Sequence, residues 1–245
     1  MESTQFIAFR NGVYVVNDNV FTPSVILPVE YTNFNDEDKE VKEIRDFLEK
    51  VFPDILVRKK FLDFSCNVLT GKNRKVSFWT GKGNNGKSIT RLLFKKMLGQ
   101  QAIELPSSLI SGKYETFPEW TSISKDTRWV CFEEPEEDIS VPFLKELAGS
   151  DRITVRNLYE PAREISPMFF TTVICNNLTN IQHIQDIPDN TINIPFESTF
   201  TDNAPETLEE QLSQKCFPSD RQFHKKIVNM VDAFVWVLLK HMNNK

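Results

Sequence analysis

Apolar residues recur along the chain in two rhythms, one of period two and one near 3.6, so both strands and amphipathic helices are expected. Residues 6–9 (Phe, Ile, Ala, Phe) and 13–16 (Val, Tyr, Val, Val) flank Arg10, Asn11 and Gly12, and the Asn-Gly pair predicts a hairpin. Val41, Ile44, Phe47, Leu48 and Val51 fall on one face of a helix over 38–51. A second helix is predicted over 54–69 and ends at Thr70, Gly71, Lys72 and Asn73.

Beyond that break the two rhythms alternate. Residues 76–80 (Val, Ser, Phe, Trp, Thr) read as a short strand, and Ile89, Leu92, Leu93 and Met97 read as a helix. Residues 105–124 mix Pro, Ser and Gly and predict a loop with a short helix. A compact strand is expected at 129–132, a helix at 142–147, a hairpin over 153–167, a buried strand at 169–175 and a last strand at 191–196. Residues 202–220 are polar and acidic and predict a loop or weak helix. Residues 222–241 form a strong helical pattern, with Phe223, Ile227, Met230, Val231, Phe234, Val235 and Leu238 on one side. Strands alternating with helices predict an α/β fold with a parallel core sheet.

Composition narrows the partners. The 245 residues include 40% hydrophobic and 26% charged residues, an ordinary balance for a globular chain. The net charge of −5 excludes a generally basic nucleic-acid coat, so such contacts must come from a few local basic loops. No apolar run is long enough to span a membrane and no signal peptide opens the chain. Cys66, Cys131, Cys175 and Cys216 form no C-x-x-C pair, and they predict reduced cysteines in an intracellular protein. His183, His224 and His241 lack metal-ligand spacing, and Asn177, Leu178 and Thr179 match a glycosylation sequon that has no role inside a cell.

The strongest chemical signal is residues 81–88: Gly81, Lys82, Gly83, Asn84, Asn85, Gly86, Lys87 and Ser88. They satisfy G-x-x-x-x-G-K-[ST] at every fixed position, between a predicted strand and a predicted helix. The glycines allow a tight turn and close approach of backbone amides to phosphate. Lys87 is expected to reach the β- and γ-phosphates of ATP, and the Ser88 hydroxyl to ligate Mg²⁺. The helix N-terminus adds its free amides and its dipole.

A P-loop names nucleotide binding and no more. The strand at 129–132 ends in Glu133 and Glu134. A carboxylate at the end of the strand neighbouring the P-loop strand can hold the metal, and a second can act as general base toward water. Glu133 is assigned to Mg²⁺ and Glu134 to the base; an acidic surface turn is the competing reading, because Glu136, Glu137 and Asp138 extend the run. Asn176 ends the apolar strand at 169–175, where it can contact the γ-phosphate or the attacking water; a turn-forming Asn is the alternative.

The ordered blocks resemble the superfamily 3 helicases of the AAA+ class, above all the helicase part of poxvirus-type primase–helicases and related phage and plasmid proteins. The blocks are Phe9 to Tyr14, the P-loop with its Asn84-Asn85-Gly86-Lys87-Ser88 spelling, Phe132 to Pro135, Leu144 to Arg156, Asn176-Asn177, and Ile194-Pro195-Phe196. They cover most of residues 6–200. The resemblance implies an AAA+ P-loop core with a parallel sheet flanked by helices over 75–200. A small α+β region over 1–74 precedes it, and a helical segment over 201–245 follows. It also implies an ATP-hydrolysing ring, usually a homo-hexamer, with single-stranded DNA in the pore and a place in viral or mobile-element replication. If viral, the chain is expected in the host cytoplasm or at a replication site. The 153–167 hairpin then points into the pore, its tip near Glu160, Pro161, Ala162 and Arg163. Lys145, Arg152, Arg156 and Arg163 are the candidate phosphate contacts, against an alternative in which the arginines form surface ion pairs with Glu160 and Glu164.

Two departures bear on the rate. The family places arginines shortly before the Ile-Pro-Phe block to reach a neighbour's γ-phosphate, and residues 186–193 contain none. Such an arginine is worth about 10³–10⁵ in rate. Slow hydrolysis follows unless Arg152, Arg156 or another cation substitutes. Thr179 stands where a proline commonly follows the Leu. The 245 residues hold no primase half, so a primase is a candidate partner and the chain reads as a fragment or a stand-alone ATPase. A ring or scaffold that binds ATP and nucleic acid with little hydrolysis is the second reading. A small-molecule P-loop kinase fits less well, because the Glu-Glu-Pro block is present and no arginine-rich lid is visible.

Overall fold

The computed structural model describes residues 5–16, 27–71, 75–110, 122–133, 135, 139–149, 152–155, 163–165, 168–177 and 191–243. The chain begins with β1 (Gln5–Phe9), β2 (Gly12–Val16), α1 (Lys39–Val51) and α2 (Ile55–Thr70). It continues through β3 (Val76–Thr80), α3 (Lys87–Leu98), β4 (Ala102–Leu105), β5 (Trp129–Glu133) and α4 (Val141–Ala148). Then come β6 (Ile153–Val155), β7 (Arg163–Ile165), β8 (Phe170–Cys175) and β9 (Thr191–Pro195). The last elements are β10 (Thr199–Thr201), α5 (Leu208–Gln214), β11 (Cys216–Pro218), α6 (Phe223–Lys226) and α7 (Val231–Asn243). Two compact units result: one of residues 71–82 and 100–195, the other of residues 1–70, 83–99 and 196–245.

The first of these units holds a five-stranded sheet in the order β4-β5-β8-β3-β9, with every described pairing parallel. The central strands are buried along nearly their whole length, which is why they read as unbroken apolar runs. Val76, Phe78, Val130, Phe132, Val173 and Cys175 share a core with Leu144 and Leu147 of α4. The alternate positions include Ser77, Trp129 and Thr172. The Ser77 and Thr172 hydroxyls lie 2.8 Å apart, and Trp129 Nε1 donates to Thr172 Oγ1 at 2.7 Å, so these buried polar groups are satisfied. The edge strand β4 was not legible in sequence, since its four residues offer only Ile103 and Leu105 against exposed Glu104. The hairpin expected over 153–167 forms as antiparallel β6 and β7, with its tip at 156–162 outside the described residues. Arg163, expected near the tip, lies in β7 opposite Val155.

The other unit is mainly helical. α1 buries Val41, Ile44, Phe47, Leu48 and Val51, the residues its periodicity singled out. Phe61 of α2, Phe94 of α3 and Phe234 of α7 meet with ring centroids 6.0–6.4 Å apart, and Phe52 stacks on Phe61 at 4.6 Å. The β1–β2 hairpin turns at Arg10 and Asn11, while Gly12 pairs with Phe9 as part of the strand. The Asn11 side chain instead bonds both the amide and the carbonyl of Tyr31, at 2.8 and 2.9 Å. The stretch expected to be a loop or weak helix is a small β-α-β unit in which β10 pairs with β11 in parallel. Its strands are three residues each, too short for a periodic signal. Its helix is capped by Thr207, whose hydroxyl accepts from Glu210 N and donates to Glu210 Oε2. The single helix expected over 222–241 tightens at Ile227–Met230 into a 3₁₀ turn, which brings Ile227 and Met230 onto the same buried side.

Candidate nucleotide site

In the sheet-bearing unit, three predicted residues stand at the carboxyl ends of adjacent strands. Gly81 follows β3, and its amide donates to Cys175 O at 3.3 Å. Asn176 follows β8 and is exposed, as is Glu133 at the end of β5. The register aligns Thr80 with Cys175 and Glu133 with Ile174, so the three strands end nearly level. β3 leads toward β4 on one side and β8 leads to β9 on the other. Ligands in open α/β sheets bind at such a reversal, outside the strand ends. Thr80 Oγ1 donates to Asn193 Oδ1 at 3.0 Å and ties β3 to β9. One expectation is corrected: β5 is not the neighbour of β3, because β8 lies between them. Two similar apolar runs cannot reveal which of them inserts beside the P-loop strand.

The remainder of the loop belongs to the helical unit. Asn84 and Gly86 have φ of 58° and 92°, the left-handed region that glycine adopts freely and asparagine tolerates best among other residues. These angles turn the backbone into α3, whose N-cap is Gly86 and whose first turn holds no acidic residue. No acidic residue within that turn offsets the dipole at this end. Lys87 is 7% exposed, and its Nζ donates to Asn85 Oδ1 at 3.2 Å. Asn85 is 4% exposed and donates from Nδ2 to Phe196 O at 3.1 Å. Ser88 is exposed in the first helical turn, and Lys82 and Gly83 are exposed before it.

Sequence reasoning missed the supports of this loop. Phe200 N donates to Asn84 O at 2.7 Å. A Cβ on Gly86 would stand 2.8 Å from Val51 Cγ2 and 3.6 Å from Phe200 Cε2. Ser198 Oγ donates to Lys50 O at 2.6 Å, which fastens the same segment to the end of α1. The one sequence signal for this segment was the Ile194-Pro195-Phe196 block.

The candidate nucleic-acid contacts divide. Lys145 is exposed on α4. Arg152 is exposed and donates from Nη1 to Glu164 Oε2 at 2.7 Å, and this partner holds its guanidinium pKa above the usual arginine value. The ion-pair alternative thus describes Arg152. The backbone of Arg163 lies in β7, while Arg156 and Glu134 fall outside the described residues, as does most of the finger stretch at 178–190. Arg128, whose pKa burial pushes down, precedes β5 and so sits at the opposite end of that strand from Glu133.

By donor chemistry alone, each unit offers groups of the kind that suit a polyphosphate with a divalent cation. Lys87 and the first-turn amides of α3 supply positive charge and donors. The Ser88 hydroxyl and the Glu133 carboxylate are hard oxygen ligands of the kind Mg²⁺ prefers. No helix among the described residues is long and apolar enough to cross a membrane.

No model of a known protein family matches the chain. Viral proteins do. "Putative helicase 121R" of Invertebrate iridescent virus 3 is 35% identical, over 100% of this chain and 28% of that protein. "Putative helicase 184R" of Invertebrate iridescent virus 6 is 31% identical, over 98% of this chain and 27% of that protein. "Putative helicase 022R" of Frog virus 3 is 34% identical, over 84% and 22%. The chain therefore spans 22–28% of the length of these relatives. Among solved structures, the apo C-terminal region of NrS-1 matches with a TM-score of 0.63 at 15% identity, covering 96% of this chain and 52% of that one. A second apo form matches at 0.61 and 15% identity, over 92% and 49%. The fold is shared with that region.

Proposed function

We propose that this chain is the ATP-binding and ATP-hydrolysing motor segment of a superfamily 3 type helicase that works as a ring on single-stranded DNA. One observation carries the reading. A complete P-loop joins the buried strand β3 to the N-terminus of α3, and β3 belongs to a sheet that presents Glu133 and Asn176 at neighbouring strand ends. Similarity to viral proteins named as helicases supports it.

In this reading Lys87 and the loop amides hold the β- and γ-phosphates of ATP. Ser88 and Glu133 hold Mg²⁺, which when bound neutralises charge on the phosphates. Glu134 accepts the proton of the attacking water as general base, and Asn176 orients that water by hydrogen bonding. Binding between subunits places ATP where a neighbour's cation can reach it.

The second reading, an ATP-binding ring with little turnover, rests on two observations. Residues 186–193 contain no arginine, and Arg152, the described arginine named as a substitute, is already paired with Glu164.

The deciding measurement is ATPase rate with and without single-stranded DNA, alongside the mass of the assembly. DNA-stimulated turnover by a hexamer is expected for the motor; ATP binding without turnover supports the scaffold. Lys87→Ala is expected to abolish nucleotide binding or turnover, and unchanged ATPase would remove the P-loop assignment. Glu134→Gln should keep ATP binding and stop hydrolysis; a wild-type rate would exclude Glu134 as the base.

A further inference from the structure

We propose that Ser198 is a positioning residue for nucleotide: by fastening the last turn of α1 it keeps the phosphate loop in its binding shape, and it couples nucleotide binding to the end of α1. This role rests on the reading of 81–88 as a nucleotide site. It concerns residues 84–88, which lie with α1 and Ser198 in the helical unit.

The loop needs outside support because Asn84 holds a φ of 58°, and a non-glycine residue persists there only where its surroundings fix it. Phe200 N donates to Asn84 O at 2.7 Å. The Val51 side chain, 0% exposed, stands against Gly86, with Cγ2 2.8 Å from where a Cβ would be. Ser198 is 2% exposed and joins these two supports. Its Oγ donates to Lys50 O at 2.6 Å, with Val51 O at 3.3 Å. Both carbonyls belong to the last turn of α1, where a helix offers its own acceptors no intrahelical donor. Phe52 N closes that turn on Leu48 O at 2.9 Å, and the Phe52 ring meets the Phe196 ring at 4.7 Å. The end of α1 and the segment 196–200 are thus fixed to each other, and each touches the loop.

The energetic consequence is a change of population. The Ser198 hydroxyl sets where Val51 stands, and Val51 limits how far Gly86 can move toward α1. Without the hydroxyl the loop spends time in other shapes, and apparent affinity falls by the fraction that stays competent. A single neutral hydrogen bond bounds that fall at about two- to tenfold. Coupling of this kind is reciprocal. Nucleotide that selects the competent loop must therefore steady the last turn of α1, although that turn belongs to none of the phosphate-binding residues.

The test compares wild type, Ser198→Ala, Val51→Ala, the double variant and Lys87→Ala for ADP and ATP affinity with Mg²⁺, well below the melting temperature of each. Hydrogen exchange at the Phe52 amide is followed with and without ADP. Ser198→Ala should bind about two- to tenfold more weakly. Its effect should shrink in the Val51→Ala background, because both changes act on the same support. ADP should slow exchange at Phe52 in the wild type, and Ser198→Ala should lose that protection. A residue that only stabilises the fold would lower melting while leaving affinity and the ADP protection unmoved, and that result overturns the role. Fully additive affinity losses overturn the route through Val51. If Ser198→Ala does not fold, the wild type decides: exchange at Phe52 that ignores saturating ADP refutes the coupling. Loss of binding in Lys87→Ala beside wild-type affinity in Ser198→Ala sinks only the role of Ser198. Nucleotide binding by Lys87→Ala at wild-type strength sinks the underlying site.

Discussion

Glycines in the phosphate loop are not equivalent. Gly86 combines a φ of 92° with a Cβ position 2.8 Å from Val51 Cγ2, so any side chain meets both a strained backbone and a packed neighbour. Gly83 has no atom within 4 Å of its Cβ position. Gly86→Ala is therefore expected to destabilise the protein by about 1–3 kcal/mol. Gly83→Ala should change stability by less than about 0.5 kcal/mol. Chemical denaturation of the two variants checks the contrast, and equal losses would refute it. The pattern of residues 81–88 revealed that glycine was required here, because the chemistry of phosphate approach is local. It did not reveal why Gly86 matters more, because Val51 and Phe200 are far away in sequence. The same holds for Asn85: its identity was visible, while its partner Phe196 O is 111 residues away.

Elements were legible where burial repeats over several turns or over a whole buried strand. α1, α2, β3, α3 and β8 form within a residue or two of where periodicity put them, because their apolar faces are long and continuous. β4, β10 and β11 were missed because three or four residues carry almost no periodic information, and pairing across the sheet decides them. Strand order was hidden for a related reason: β5 and β8 are similar apolar runs, and only tertiary packing sets β8 beside β3. The long C-terminal pattern gave the right face but not the 3₁₀ turn, which β-branched Ile227 and Val228 favour locally through weak helix propensity. At this scale a phenylalanine cluster joins α2, α3 and α7 within the helical unit. Phe61 is 0% exposed and touches Phe52, Phe94 and Phe234. Phe61→Ala should cost about 3–5 kcal/mol by opening a cavity in that cluster. A change of Ile55, 68% exposed at the start of the same helix, to Ser should cost under about 0.5 kcal/mol. Urea unfolding followed by helix signal measures both, and a loss below 1 kcal/mol for Phe61→Ala would show that the cluster recloses around the gap.

Over the whole chain, 34 acidic residues outweigh 29 basic ones, and the long-range field of a net charge of −5 repels a polyanion. Under the proposed function, affinity for single-stranded DNA must then come from a small basic set repeated around a ring. Lys145 on α4 and Arg163 on β7 belong to that set. Arg152 is held by Glu164, but an exposed ion pair is worth little, so a phosphate can replace the carboxylate at small cost. Binding should therefore weaken steeply with salt, with a log–log slope that counts phosphate contacts at about 0.7 each for a single strand. Arg163→Ala should lower both the affinity and that slope. Glu164→Gln, which releases Arg152, should strengthen binding at low salt. A salt titration of fluorescent single-stranded DNA against the wild type and both variants measures these changes. If neither variant alters the slope, the 153–165 hairpin makes no phosphate contact. If only Glu164→Gln does, the contact is Arg152 alone, and the ion pair acts as a brake on nucleic-acid binding.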